Sequence, residues 1–95
     1  MTDILKIEND LVLRFPKHVK FRYNEPRKEW VLNAPEKLVK PDNIAVEILK
    51  LIDGEKTVIE ISEKLSKKFN ASYEVILADV KVLLQQLADK GFVIK

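Results

Sequence analysis

The hydrophobic period of this chain switches once, and the switch divides it in two. Over residues 18–23, Val19, Phe21 and Tyr23 alternate with Lys20 and Arg22, the period of two that marks a half-buried strand. Asn24-Glu25-Pro26-Arg27-Lys28 reads as a turn, with Pro26 supplying a fixed φ. Alternation resumes over residues 29–33 through Trp30 and Leu32, Pro35 breaks it, and a short third strand is predicted over 37–40, closed by Pro41. Such a small sheet is marginal alone and must pack on the segments that follow. Trp30 is expected to anchor it to the helices rather than to stack on bases. From residue 42 the period is helical. Asp42 is predicted to cap a helix over 43–52 that ends at Asp53-Gly54, where glycine accepts the left-handed conformation. Thr57 and Glu60 form a capping box opening a second helix that runs to residue 69. Val58, Ile61, Leu65 and Phe69 are its core stripe, with Glu60/Lys64 and Glu63/Lys67 paired on the outer face. Ser72 is expected to cap a third helix that ends at Gly91. At 100° per residue its core side holds Ile76, Val80, Leu83, Leu84 and Leu87. Phe92-Val93-Ile94 reads as a terminal strand, and residues 1–16 as a docked extended arm or a frayed end. The predicted class is α+β: a small N-terminal antiparallel sheet of about three strands packed on a three-helix, winged-helix-like bundle. One domain spans residues 1–95, with the arm at 1–16, the sheet at 17–41 and the helical part at 42–95.

Composition narrows the chemistry. The chain has 95 residues, 46% hydrophobic and 34% charged, as expected of one globular domain. It has no cysteine, which excludes a disulfide, a thiolate metal site and a thiol nucleophile. His18 is the one histidine and has no second ligand at metal spacing. Two glycines are too few for a phosphate-cradling loop. Glu60 and Glu63, like Glu74 and Asp79, fall on solvated helix faces beside lysines and form no recognisable acid–base pair. No enzyme and no cofactor are expected. The acidic N-terminus lacks a signal-peptide pattern, and no apolar run approaches the roughly 20 residues that span a bilayer. A cytoplasmic protein without membrane contact is expected.

Charge decides how the third helix is read. Residues 73–90 carry Glu74, Asp79 and Asp89 against Lys81 and Lys90. A recognition helix that lies on phosphates is expected to be basic, so a winged-helix nucleic-acid module is the weaker reading. The helix's far side mixes Val75, Ala78 and Val82 with Asp79, Gln85 and Gln86. It is either a scatter of exposed apolar residues or a shallow groove for a partner, bordered by Lys81. The segment 36–40, as an edge strand, offers unpaired backbone groups to an incoming peptide. Lys37 and Lys40 either guard that edge or favour an acidic peptide. Residues 1–40 hold nine Lys/Arg against six Asp/Glu, and residues 41–95 eight against nine, an asymmetry too weak to decide more.

Several segments, taken in order, carry a family likeness. They are Val19-Lys20-Phe21-Arg22-Tyr23, Trp30-Val31-Leu32-Asn33-Ala34-Pro35-Glu36, Ile48-Leu49-Lys50-Leu51-Ile52-Asp53-Gly54, Thr57-Val58-Ile59-Glu60-Ile61, Asp79-Val80 and Leu87-Ala88-Asp89-Lys90-Gly91-Phe92-Val93. With this set over residues 14–94 the chain resembles the PqqD family of pyrroloquinoline quinone biosynthesis. It departs at Pro41-Asp42, where the family usually has Leu-Asn, and at His18, where glycine is common. The resemblance implies a peptide chaperone, a recognition element for ribosomally made, modified peptides. Family members bind the precursor peptide PqqA and present it to the radical SAM enzyme PqqE, which cross-links a Glu and a Tyr of the peptide. The resemblance further implies a precursor lying along the third strand and third helix, at Lys37, Leu38, Val39 and Lys40 with Ala78, Lys81, Val82 and Gln85. The flank of the helix in that set comes from the helical wheel. Pro41 removes a backbone donor beside this strand and is expected to shorten the contact. Another radical-SAM or lasso-type peptide pathway is the alternative, and both a monomer and a homodimer are compatible with the sequence.

Overall fold

A computed structural model of the chain describes residues 6–35 and 37–95. Three antiparallel strands come first: β1 (Lys20–Asn24), β2 (Glu29–Ala34) and β3 (Lys37–Val39), in the order β1-β2-β3. Lys20 pairs with Asn33 and Asn24 with Glu29, then Leu32 pairs with Val39 and Ala34 with Lys37. Three helices follow: α1 (Asn43–Lys50), α2 (Val58–Phe69) and α3 (Tyr73–Asp89). The core forms where the sheet meets the helices. Leu32, Ile48, Leu49, Val58, Ile61, Leu84 and Phe92 are among its fully buried members.

The local signals explain most boundaries. Asp42 Oδ1 accepts from the Ala45 amide at 2.8 Å and opens α1. At the start of α2, Thr57 Oγ1 accepts from the Glu60 amide at 3.1 Å and the Glu60 carboxylate accepts from the Thr57 amide at 2.9 Å. At the end of α3, Gly91 has φ +82°, its amide donates to the Ala88 carbonyl, and the Phe92 amide donates to Leu87 at 2.8 Å. This reverse turn closes the helix and drives Phe92 into the core.

Elsewhere the structure corrects the sequence reading. β1 begins at Lys20 rather than residue 18, and Tyr23 is exposed instead of buried. β3 stops at Val39, one residue short of the predicted strand, because Pro41 cannot continue a ladder. α1 ends at Lys50 with Leu51 as its right-handed cap, so Gly54 belongs to the following loop. α2 is terminated by Asn70 in the left-handed conformation. Phe69 sits in the last position of that helix, past the reach of the core, and is 46% exposed. Among the charges of α2, Lys68 pairs across to Glu47 of α1, a partner outside the predicted i,i+4 pattern. Ser72 occupies the N-cap of α3 without a side-chain cap bond. Ile76 and Leu83 are partly buried, leaving Val80, Leu84 and Leu87 as the buried stripe of α3. Trp30 is half-buried in an aromatic stack on Phe21, 4.8 Å between centroids, with Lys50 of α1 5.1 Å from its ring. It joins sheet to helix through that cation rather than as a core anchor.

The arm is docked. Ile7 and Leu13 are buried, and the Val58 and Ile59 amides donate to Leu11 and Asn9, each at 3.0 Å. The expected terminal strand contracts to one antiparallel bridge, Arg14 with Ile94, in hydrogen bonds of 2.7 and 2.9 Å. Among the described residues no helix is long and apolar enough to cross a membrane.

Candidate functional site

β3 forms one edge of the sheet, pairing with β2 on one side only. Its outward backbone groups are therefore available to a further strand. Leu38 is 60% exposed. On the opposite face of the strand Val39 packs on the core, and Lys37 reaches over it to lie 6.0 Å from the Phe92 ring centroid. Lys40 Nζ lies 3.6 Å from Glu29 Oε1, a buried oxygen that this ion pair approaches without a hydrogen bond. That ion pair ties the end of the edge segment back onto β2. Glu36, the first residue of the sequence-predicted segment, lies outside the described residues.

The two flanks of α3 differ in what lies against them. On one flank, Lys81 Nζ donates to Asn9 Oδ1 at 2.8 Å, and the Ile7 amide donates to Gln85 Oε1 at 3.1 Å. Gln85 Nε2 also donates to Asp89 at 2.9 Å. Lys81, Val82 and Gln85 share a shallow depression with Lys6, Ile7, Glu8 and Gln86, and no residue of β3 lines it. Ala78 is exposed nearby on the wheel. The structure thus gathers Lys37, Leu38, Val39 and Lys40 on one edge, and places Lys81, Val82 and Gln85 beside the arm. The arm leads into β1, the far edge of the sheet from β3.

The other flank of α3 borders α1. Beyond Pro41 the chain enters α1, whose Ile44 and Ile48 meet Ile76, Asp79 and Val80 of α3. At the other end of α3, Lys37 of β3 lies over Phe92. On this side the helical spacing runs a stripe through Asp79, Leu83 and Lys90, with Gln86 at its border with the arm-side depression. Leu83 packs against the core as Val39 does. The helical wheel of the sequence favoured the flank of Ala78, Lys81, Val82 and Gln85, the one beside the arm. The signal that separates them is Ile7, an apolar residue in the leader that has to be buried somewhere.

Two carboxylates are shifted by ion pairs at the surface. Glu47 is held below its ordinary value of 4.5 chiefly by its hydrogen bond with Lys68, against some desolvation, and further by Lys50. Asp53 is lowered by its Lys56 hydrogen bond and by the Lys56 and Glu55 amides. Both are salt-bridged surface carboxylates away from β3. Among the described residues no group of three His, Cys, Asp or Glu side chains is placed to hold a metal.

Comparison with known proteins adds to this geometry. Residues 29–93 match the family model described as coenzyme PQQ synthesis protein D (PqqD). A protein of Bradyrhizobium diazoefficiens named PqqA binding protein is 51% identical over 77 residues, covering 81% of this chain and 75% of its own length. The solution structure of the PqqD part of Methylobacterium extorquens PqqCD is similar, with TM-score 0.80 and 36% identity over 94% of this chain and 95% of that one. It is described as a functional, stand-alone recognition element for ribosomally synthesised and post-translationally modified peptides. The crystal structure of PqqD from Xanthomonas campestris matches with TM-score 0.56 and 30% identity, over 90% and 94% of the two chains.

Proposed function

The chain belongs to the PqqD family, and from that premise we propose that it is a peptide chaperone of pyrroloquinoline quinone biosynthesis. It binds the ribosomal precursor peptide PqqA and presents it to the radical SAM enzyme PqqE. It performs no chemistry itself and acts in the cytoplasm, where the peptide is made. The observation that carries this reading is the open edge at β3, with Leu38 exposed and one side of the strand without a neighbour among the described residues. A precursor added there as a fourth strand gains main-chain hydrogen bonds, and its alternate side chains face α3. Lys37, Leu38, Val39 and Lys40 form one wall. Asp79, Leu83 and Lys90 of α3 form the other, because Lys81, Val82, Gln85 and Gln86 line the depression beside the arm. Lys37, Lys40 and Lys90 favour acidic positions in the peptide.

Calorimetric titration with synthetic precursor peptide tests the reading, with random duplex DNA as the control. Saturable one-to-one peptide binding and no DNA binding are expected. DNA binding with a steep salt dependence and no peptide binding would return the fold to the nucleic-acid readers.

A further inference from the structure

The sheet has a second face, turned away from the helices. The register divides the strand residues between the two faces. Phe21, Leu32 and Val39 turn toward the core, while Lys20, Arg22, Val31, Asn33 and Leu38 share the outer face. Lys20, Asn33 and Leu38 form one cross-strand row there, and Arg22 pairs with Val31 in the next. Val31 is only 5% exposed, yet it stands outside the core cluster. It lies diagonally across from Leu38, within reach of a long side chain. Arg22, Val31, Asn33, Leu38 and Lys40 line a shallow trough of about 540 Å³ that ends at the β3 edge. The outer face therefore carries a small apolar patch, Val31 and Leu38, whose open end is the edge itself.

We propose, resting on the strand-addition reading above, that the precursor peptide is read on both faces of the sheet, through an apolar pair at adjacent peptide positions. One side chain of the pair turns outward and packs on Leu38. The next turns inward, toward Val39 and Leu83. Continuity with the β3 edge selects the occupant. A strand added at that edge lies about 4.8 Å from β3, and its side chains alternate between the two faces. Every second side chain is thus carried to the outer face, and the one beside Leu38 meets a leucine that is 60% exposed. Charge does not compete for that position. Lys20 and Arg22 stand on β1, two strands in and about 10 Å from β3. Lys40, the nearest cation, is engaged with Glu29. An acidic side chain beside Leu38 gains no ion pair there and leaves the leucine uncovered, whereas a large aliphatic or aromatic one covers it.

The test is a double-mutant cycle between the full chain and synthetic precursor peptides in which each residue in turn is replaced by alanine. Leu38→Ala, at an exposed position, is checked for folding by circular dichroism and is expected to weaken binding of the parent peptide about fivefold. One apolar peptide position should lose its own effect in the Leu38→Ala background. An adjacent position should keep its effect there and lose it in Leu83→Ala. Methyl-labelled parent chain supplies a second readout that needs no variant of the protein. Nuclear Overhauser contacts should join the Leu38 methyls to the first peptide side chain, and the Val39 and Leu83 methyls to its neighbour. Parental affinity in Leu38→Ala overturns the proposal, as does coupling of Leu38 and Leu83 to one and the same peptide position. Leu38 methyls without a peptide contact, while Val39 and Leu83 have one, overturn it too and leave strand addition at β3 standing. Absence of peptide binding by the parent chain is a different result, and it overturns the chaperone reading itself.

Discussion

The two flanks of α3 are close to equal by composition and unequal in the fold. One carries Ala78, Lys81, Val82 and Gln85, the other Asp79, Leu83 and Lys90, with Gln86 on their border. Each mixes apolar, amide and charged side chains. The first lies beside the N-terminal arm, which buries Ile7 and hydrogen-bonds to Lys81 and Gln85. The second lies on the side of α1, where Asp79 lines a cavity with Ile44 and Ile48. A groove is therefore not a property of a helix face. It depends on which flank the rest of the chain has covered.

Five variants and one pH titration sharpen that comparison or break it. Leu84 lies between the flanks and is fully buried. Leu84→Asp is expected to unfold the domain, by roughly 4 kcal/mol or more, since it buries an unpaired charge; a loss of the cooperative thermal transition checks this. Ile7→Ala should cost about 2 kcal/mol or more of stability in a denaturant titration while leaving peptide affinity unchanged. Weakened peptide binding in that variant would mean the arm side takes part. Lys37→Glu combined with Lys90→Glu should lower precursor affinity about tenfold, equivalent to about 1.4 kcal/mol. Lys81→Glu, on the arm side, should leave it within about twofold. The reverse ranking would return the site to the flank that the helical wheel suggested.

The smallest effect is on pH. Glu47 and Asp53 titrate lower in the folded chain than their ordinary values of 4.5 and 3.8. Their ion pairs thus contribute in full above those values, and the contribution is lost as pH falls through the lower folded values. Thermal unfolding should show little dependence on either group near neutrality and a decline below about pH 4.5. Glu47→Gln should remove part of that decline, and peptide affinity should not follow it, because neither carboxylate borders β3.

What the sequence made legible was local. The capping box of Thr57 and Glu60, the Asp42 cap and the Gly91 reversal need only neighbours within a turn or two, and each formed as expected. The small antiparallel sheet of about three strands also followed from the alternation and the prolines, while the order β1-β2-β3 came with the structure. What depends on distant partners was harder to read. Phe92-Val93-Ile94 has strand composition, but its one ladder partner is Arg14, eighty residues away. Phe69 continues the α2 stripe by spacing, yet the helix ends there and the ring is left at the surface. Ile44 stands off the buried stripe of Ala45, Val46, Ile48 and Leu49, and only the meeting of three helices turns it into the lip of a cavity. The flank of α3 falls in the same class. The wheel gives angles, and the arm decides which angle is open.

The most direct measurement is an amide map of the isotope-labelled chain titrated with unlabelled precursor peptide. Shifts are expected at residues 37–40 and along Asp79, Leu83 and Lys90, with the arm and Lys81 unmoved. Shifts concentrated at Lys81, Gln85 and residues 6–14, with β3 silent, would contradict the β3 edge as the peptide site.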